Sequence, residues 1–319
     1  VRANLVVGKD LPIPRRADGI RLQDSHGSLI EDNTVEDSRD LAIWQSNDCV
    51  TRRNVVRRCR YGLHYMYCDR NVFEGNEFAG NHTGAAIMYS RHVTLRDNRF
   101  TGSRGPSAHG LLIKTADDVI AEHNWFVDNT RGIFLEDTPS SRRADCVIRS
   151  NVIGGNDTGV AIEPSVARVV FTENAFIANR AQVEALGWTR AEQNVWSADG
   201  RGNYWSDYVG FDADGNGVGD TPYQLEQFFE DLASRYPAVG MLRMAPAAAA
   251  LECAARAFPI VKPRPTLTDA CPLVDPPASL GQPPRSRPRP ELVAAGLLLV
   301  GAAGLVLWQS RRPLLRGAS

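Results

Sequence analysis

An asparagine returns along this chain at almost constant intervals. Asn33, Asn54, Asn76, Asn98, Asn124, Asn151, Asn174 and Asn194 are separated by 21, 22, 22, 26, 27, 23 and 20 residues. Two positions after each stands a large apolar or β-branched residue: Val35, Val56, Phe78, Phe100, Phe126, Ile153, Phe176 and Trp196. Roughly eight residues beyond the Asn, a glycine often opens a run whose first and third followers are apolar, as in Gly62 with Leu63 and Tyr65, or Gly132 with Ile133 and Leu135. That is period-two strand patterning inside a repeat of about 22 residues.

A unit this short cannot bury its own apolar face, whereas a stack of units can. Helical repeats would need 3.6-residue periodicity, which is absent, and the Leu-x-x-Leu-x-Leu frame of leucine-rich repeats is absent too. The pattern therefore predicts an all-β fold, a right-handed parallel β-helix solenoid with rungs about 4.8 Å apart. The recurrent Asn would form an internal ladder, its amide bonding turn backbone and the Asn one rung away. An antiparallel sandwich with accidental spacing is the alternative.

Residues 1–199 are assigned to the solenoid. Val1 is not Met, and Ala3-Asn4-Leu5-Val6 already fits the Asn frame, so the chain reads as a fragment whose N-terminal rungs are missing. The two longest steps carry Gly, Pro and Ser at 103–108 and 138–143, which marks them as loops bulging from the stack. Residues 200–224 are rich in Gly and Asp. There Asp212, Asp214, Asn216, the Val218 carbonyl and Asp220 fall at the oxygen-ligand positions of a Ca²⁺ loop, with Gly217 at its glycine position. Position 12 is Tyr223 rather than Glu, so the choice lies between structural calcium and a metal-free Asx-turn loop. A partly helical tail is expected over 225–261, with Phe228, Phe229 and Leu232 on one face. A Pro- and Arg-rich linker follows over 262–291. Residues 292–308 hold no charge and reach the lower limit for a transmembrane helix, with a basic tail at 309–319.

Charge excludes little but excludes it usefully. Lys and Arg total 36 against 37 Asp and Glu, so no basic excess points to nucleic acid. The six cysteines form no C-x-x-C pair, which argues against a zinc ribbon or a thioredoxin-type site.

The most unusual side-chain cluster lies at residues 61–90. Leu63 and Tyr65 fall in core columns, so His64 and Met66 point outward, with Cys68 following if the strand lasts that long. Met88 occupies the column of Met66 one rung on. Imidazole, two thioethers and a thiol are soft donors suited to Cu(I). The alternative is a small apolar surface filled by Met. His26, His82, His92, His109 and His123 show no comparable grouping and read as surface or turn residues. Many β-helices are polysaccharide lyases or glycosidases, which need carboxylates aligned on an exposed sheet. Asp117, Asp118, Glu136 and Glu163 are the candidates for that chemistry.

The repeat, the segment GLHYMYCDRNVFEGNEFAGN and the loop GNYWSDYVGFDADGNGVGDTPY together resemble the NosD family, over about residues 4 to 275. These are periplasmic β-helix accessory proteins of nitrous oxide reductase maturation. The resemblance implies copper handling for the reductase's copper–sulfide site. It also implies an ABC-type ATPase, its membrane permease and a copper-donating lipoprotein as partners. It places the solenoid in the periplasm; if 292–308 is an inner-membrane anchor rather than a buried core helix, the terminal arginines are cytoplasmic. A carbohydrate-active enzyme and a metal-free docking scaffold remain the competing readings. If the anchor is real, deleting residues from Glu291 onward releases the chain from membranes into the soluble fraction. A full-length chain that already partitions with soluble protein, without lipid or detergent, refutes it.

Overall fold

The 22-residue repeat becomes a closed rung because single residues turn left-handed at fixed places. The residue before each ladder asparagine does so: Asp32, Arg53, Asp97, His123, Ser150 and Glu173 have φ between +51° and +57°, and Gly75 has +62°. Five residues on, a second corner repeats the device at Asp37, Arg58, Asp128 and Ala178, with Gly80, Gly102 and Gly155 elsewhere in the column. Each left-handed L-residue is unfavourable by itself, roughly 1–2 kcal/mol. The corners persist because neighbouring rungs fix them from both sides.

This computed structural model describes residues 1–9, 11–187, 191–226, 236–242 and 265–278, with isolated positions between 232 and 254. Its strands form three parallel sheets of nine, eight and seven strands, each built by taking one strand per rung. The fold is an all-β parallel solenoid. Register runs unbroken along the column Val56↔Phe78↔Phe100↔Phe126. Those inward residues are fully buried. Phe78, Phe100 and Phe126 stack with centroids 5.1 and 4.9 Å apart. The recurring glycines stand where rungs come closest: a Cβ on Gly62 would lie 2.4 Å from the carbonyl oxygen of Gly84.

The ladder forms as expected over most of its length. Asn76 donates its backbone N–H and its Nδ2 to Asn98 Oδ1, at 3.0 and 2.9 Å, and a second Nδ2 hydrogen to the Thr51 carbonyl at 2.9 Å. Asn98 does the same to Asn124. The line runs from Asn4 to Asn203. Asn194 is not part of it. Its Oδ1 accepts from the Val169 amide, and Trp196 stacks on Phe171 in another column. Asn203 takes the ladder place and Trp205 the place above Phe176, because the last turn is longer than the repeat. A second, shorter ladder of Asn129, Asn156 and Asn179 lines the next corner.

Two expectations about the tail change. Leu225 ends a strand, Tyr223–Leu225, rather than opening a helix, and it pairs antiparallel with Leu267–Asp269 inside the stretch read as linker. Asp269 then turns inward, where its Oδ2 accepts from the Asn203 amide at 2.7 Å and from Trp205 Nε1 at 2.9 Å. Between the two strands lies a 3-10 helix, Pro237–Leu242. Phe228, Phe229 and the segments 292–308 and 309–319 lie outside the described residues. No helix among the described residues is long and apolar enough to cross a membrane.

Replacing Asn98 by Ala strands the Asn76 amides and the Phe73 carbonyl within a dry corner. Chemical denaturation should show a loss on the order of 1–3 kcal/mol. A loss no greater than that of Asn216→Ala, in an exposed loop, would mean the ladder carries no stability.

Candidate metal centre

The eight-stranded sheet turns one face outward, and the strand Tyr61–Met66 sits in it. Leu63 and Tyr65 are fully buried in the core, so His64 and Met66 face out by alternation. Parallel pairing sets Trp44, Met66 and Met88 in one column. His64 Nε2 lies 3.1 Å from the Met66 sulfur. Its Nδ1 lies 3.2 Å from Asp40 Oδ2.

Asp40 is the residue that reading the sequence missed. It is fully buried, ion-paired to Arg60 and accepts the Tyr61 amide at 3.1 Å. Burial pushes its pKa up, but hydrogen bonds from His64 and Arg60 outweigh this and hold it below the ordinary carboxylate value. An ionised carboxylate only accepts, so the imidazole donates through Nδ1, and Nε2 is the nitrogen that faces the thioether. The signal was available. Asp40 follows its ladder Asn by seven residues, as Tyr61 does one rung on, and an irregular register between Asp40 and Ala42 brings it beside His64.

Cys68 stands apart from this group. Tyr67 is left-handed at φ +56°, which ends the alternation and swings Cys68 inward. Its sulfur is 3.0 Å from the Met66 carbonyl oxygen and accepts from the Ser46 amide. Burial pushes the thiol up to about 11, so it is a protonated core group. Tyr67 itself is exposed and stacks on Tyr89 at 5.2 Å, beside the methionines.

In the Gly/Asp loop the candidate calcium oxygens serve their own backbone. Asp212 accepts from Gly215 and Gly217, each at 2.8 Å, and Asp220 accepts from the Ala213 amide at 2.7 Å. Asp214 takes the Asn216 amide and Asn216 takes that of Val218. The Gly217 amide is the main reason the Asp212 pKa is lowered. This is Asx-turn geometry, and nothing beyond the spacing supports calcium. Among the described residues no three His, Cys, Asp or Glu side chains form a group able to hold a metal ion, so a copper site here rests on thioether sulfur.

Three of the four carboxylates considered for sugar chemistry are occupied as well. Asp117 holds the 138–143 loop through the Ser140 and Ser141 amides, at 2.7 and 2.9 Å. Asp118 accepts from Asp145 and lies 3.5 Å from His92. Glu136 pairs with Lys114. Glu163 beside it is raised, by burial first and by Glu136 second.

A protein family described as periplasmic copper-binding protein (NosD) matches residues 2–210. A probable ABC transporter binding protein NosD of Pseudomonas aeruginosa is 32% identical over 200 residues, covering 63% of this chain and 42% of that protein. A protein of the same description from Stutzerimonas stutzeri is 31% identical over 199 residues, covering 59% and 44%. The chain thus spans less than half the length of these curated relatives. Among solved structures, the A-module of the mannuronan C-5 epimerase AlgE6 of Azotobacter vinelandii matches with 18% identity and TM-score 0.48, covering 62% of this chain and 57% of that one. The AlgE4 A-module of the same organism gives 17% and 0.37, covering 50% and 46%.

His109, expected at the surface or in a turn, is buried on this same outer face and stacks on Phe134 at 4.7 Å. Burial, then the charge of Arg131, lowers its pKa from 6.5 to about 4. Between those values the unfolded chain binds a proton that the fold does not, so stability falls as pH drops through that window. The cost reaches up to about 3 kcal/mol. Melting temperatures taken from pH 7 to 4 should fall less steeply for His109→Phe than for the parent. Equal slopes would show that His109 is not the acid-sensitive group.

Proposed function

We propose, from the premise that this chain belongs to the NosD family of periplasmic copper-binding proteins, that it carries Cu(I) on the outer face of its solenoid through His64, Met66 and Met88. One observation carries the reading. Met66 and Met88 are register partners on adjacent rungs, and the Nε2 of an oriented imidazole points at the first of them. Thioethers are neutral, so they take Cu(I) without displacing a proton and release it readily. That suits transfer better than storage. Asp40 holds the imidazole from behind, as a carboxylate does behind many metal-bound histidines.

The relatives are named as ABC transporter binding proteins, which supports an ABC-type ATPase and its permease as partners. In this proposal a copper-donating lipoprotein delivers the ion, the recipient is the copper–sulfide site of nitrous oxide reductase, and residues 292–308 tether the solenoid to the inner membrane. A metal-free docking scaffold is the second reading. The exposed Tyr67–Tyr89 stack beside the methionines favours it, as a surface that a partner could cover.

The Met66→Leu/Met88→Leu variant separates the two. Leucine nearly conserves volume, so folding should cost less than about 1.5 kcal/mol. Cu(I) titration against a chromophoric competitor should show binding weakened by at least tenfold, with reductase maturation lost in parallel. Parental affinity and parental maturation in this variant would leave the scaffold as the better account.

A further inference from the structure

Trp44 lies one rung before Met66, in register with it on the same outer face. Indole, thioether and thioether therefore follow one another at strand spacing. The indole also meets the His64 imidazole almost at a right angle, with centroids 5.2 Å apart. It thus packs beside the imidazole, on the rung next to that of the first thioether. Its ring already seats a cation, since the Arg21 guanidinium carbon lies 4.3 Å from the centroid. In that same position Arg21 Nη2 donates to Gln23 Oε1 at 2.8 Å, and its Nη1 is 3.7 Å from Asp18.

An ion held by Nε2 and two thioethers keeps its whole positive charge, because all three donors are neutral. Asp40 lies behind the imidazole on Nδ1 and brings no oxygen to the front of the site. Two aromatic faces border the imidazole, Tyr61 at 4.9 Å and Trp44 at 5.2 Å between centroids, and indole is the stronger partner for a cation, the one that also stands in register with Met66. Resting on the Cu(I) reading above, we infer that Trp44 is a fourth member of this site, its indole face packed against the bound ion. The site then takes monovalent soft cations, Cu(I) or Ag(I). Divalent ions gain too little from neutral sulfur and a π face to replace their water.

The test titrates the full chain with Ag(I), which is redox-inert, and anaerobically with Cu(I). Tryptophan emission and competition affinity are followed together. The parent should lose emission in proportion to ion, saturating at one equivalent. Trp44→Leu should bind about tenfold more weakly, equivalent to about 1.4 kcal/mol, and lack that emission change. Trp44→Phe, which keeps a weaker π face, should lack the emission change and bind with intermediate affinity. Zn(II) at the same concentration should not displace Ag(I) from the parent. If Trp44→Leu binds as tightly as the parent with the same quenching, Trp44 is outside the site while the Met and His reading stands. If the Met66→Leu/Met88→Leu variant binds Ag(I) and Cu(I) like the parent, the site itself is elsewhere. Should Trp44→Leu fail to fold by circular dichroism, Trp44→Phe decides: unchanged affinity together with unchanged quenching overturns the inference.

Discussion

The Asn ladder is the interaction on which the rest of this structure depends. At each corner the chain leaves its sheet, and the backbone groups there lose their strand partners in a dry interior. Unpaired, each would cost on the order of 1–3 kcal/mol. An Asn side chain solves the problem in three directions at once. It donates to the carbonyl at the end of a strand in the preceding rung, donates to the next Asn, and accepts from the Asn before it. With those bonds made on every rung, a left-handed Arg or Asp just ahead of the Asn becomes tolerable.

Register follows from the ladder, and chemistry follows from register. A parallel stack in which every corner is pinned cannot slip by one residue, so an outward column stays outward along the solenoid. That is what places Met88 over Met66 over Trp44, and continues the same column into Lys114 and Glu136. Along one line the surface passes from aromatic and sulfur to charged oxygen and nitrogen. The soft end is also the end where His64 is oriented from behind by a buried carboxylate.

The sequence made the columns two, nine and eleven residues past each ladder Asn legible, because they alternate and are apolar. It left the register column of Asp40, Tyr61, Thr83 and His109 unread, because those residues share no chemistry. Asp40 and the burial of His109 were lost with it. Cys68 was misleading for a different reason: strand alternation holds only until a left-handed residue, and Tyr67 carries no mark of being one. Asn194 fitted the spacing yet belongs to another corner, because the final turn departs from the repeat. Leu267–Asp269 was hidden by the Pro-rich composition around it, since three residues are too few to show a period. The Ca²⁺-like spacing of residues 212–220 was read correctly as spacing, but the same residues satisfy their own amides.

The ladder has a direction, and Asp269 gives that direction a terminus. Every Asn from 33 to 174 hands its backbone N–H and one Nδ2 hydrogen forward, toward the C-terminal side, and its Oδ1 takes the same pair from the rung before. Such a file of aligned amides is polar along its whole length, like a row of magnets set head to tail. Although its Nδ2 reaches the Phe171 and Trp196 carbonyls, Asn203 has no next Asn to receive its forward-facing hydrogens. Asp269 meets them with an oxygen that also takes the Trp205 indole hydrogen, and Gly202 leaves the space, since a Cβ there would lie 1.9 Å from Asp269 Oδ1. Burial raises the Asp269 pKa, but the oxygen facing Asn203 and Trp205 acts there as an acceptor and passes no hydrogen on. The stack is thus closed at Asp269, where a strand distant in sequence supplies the stop.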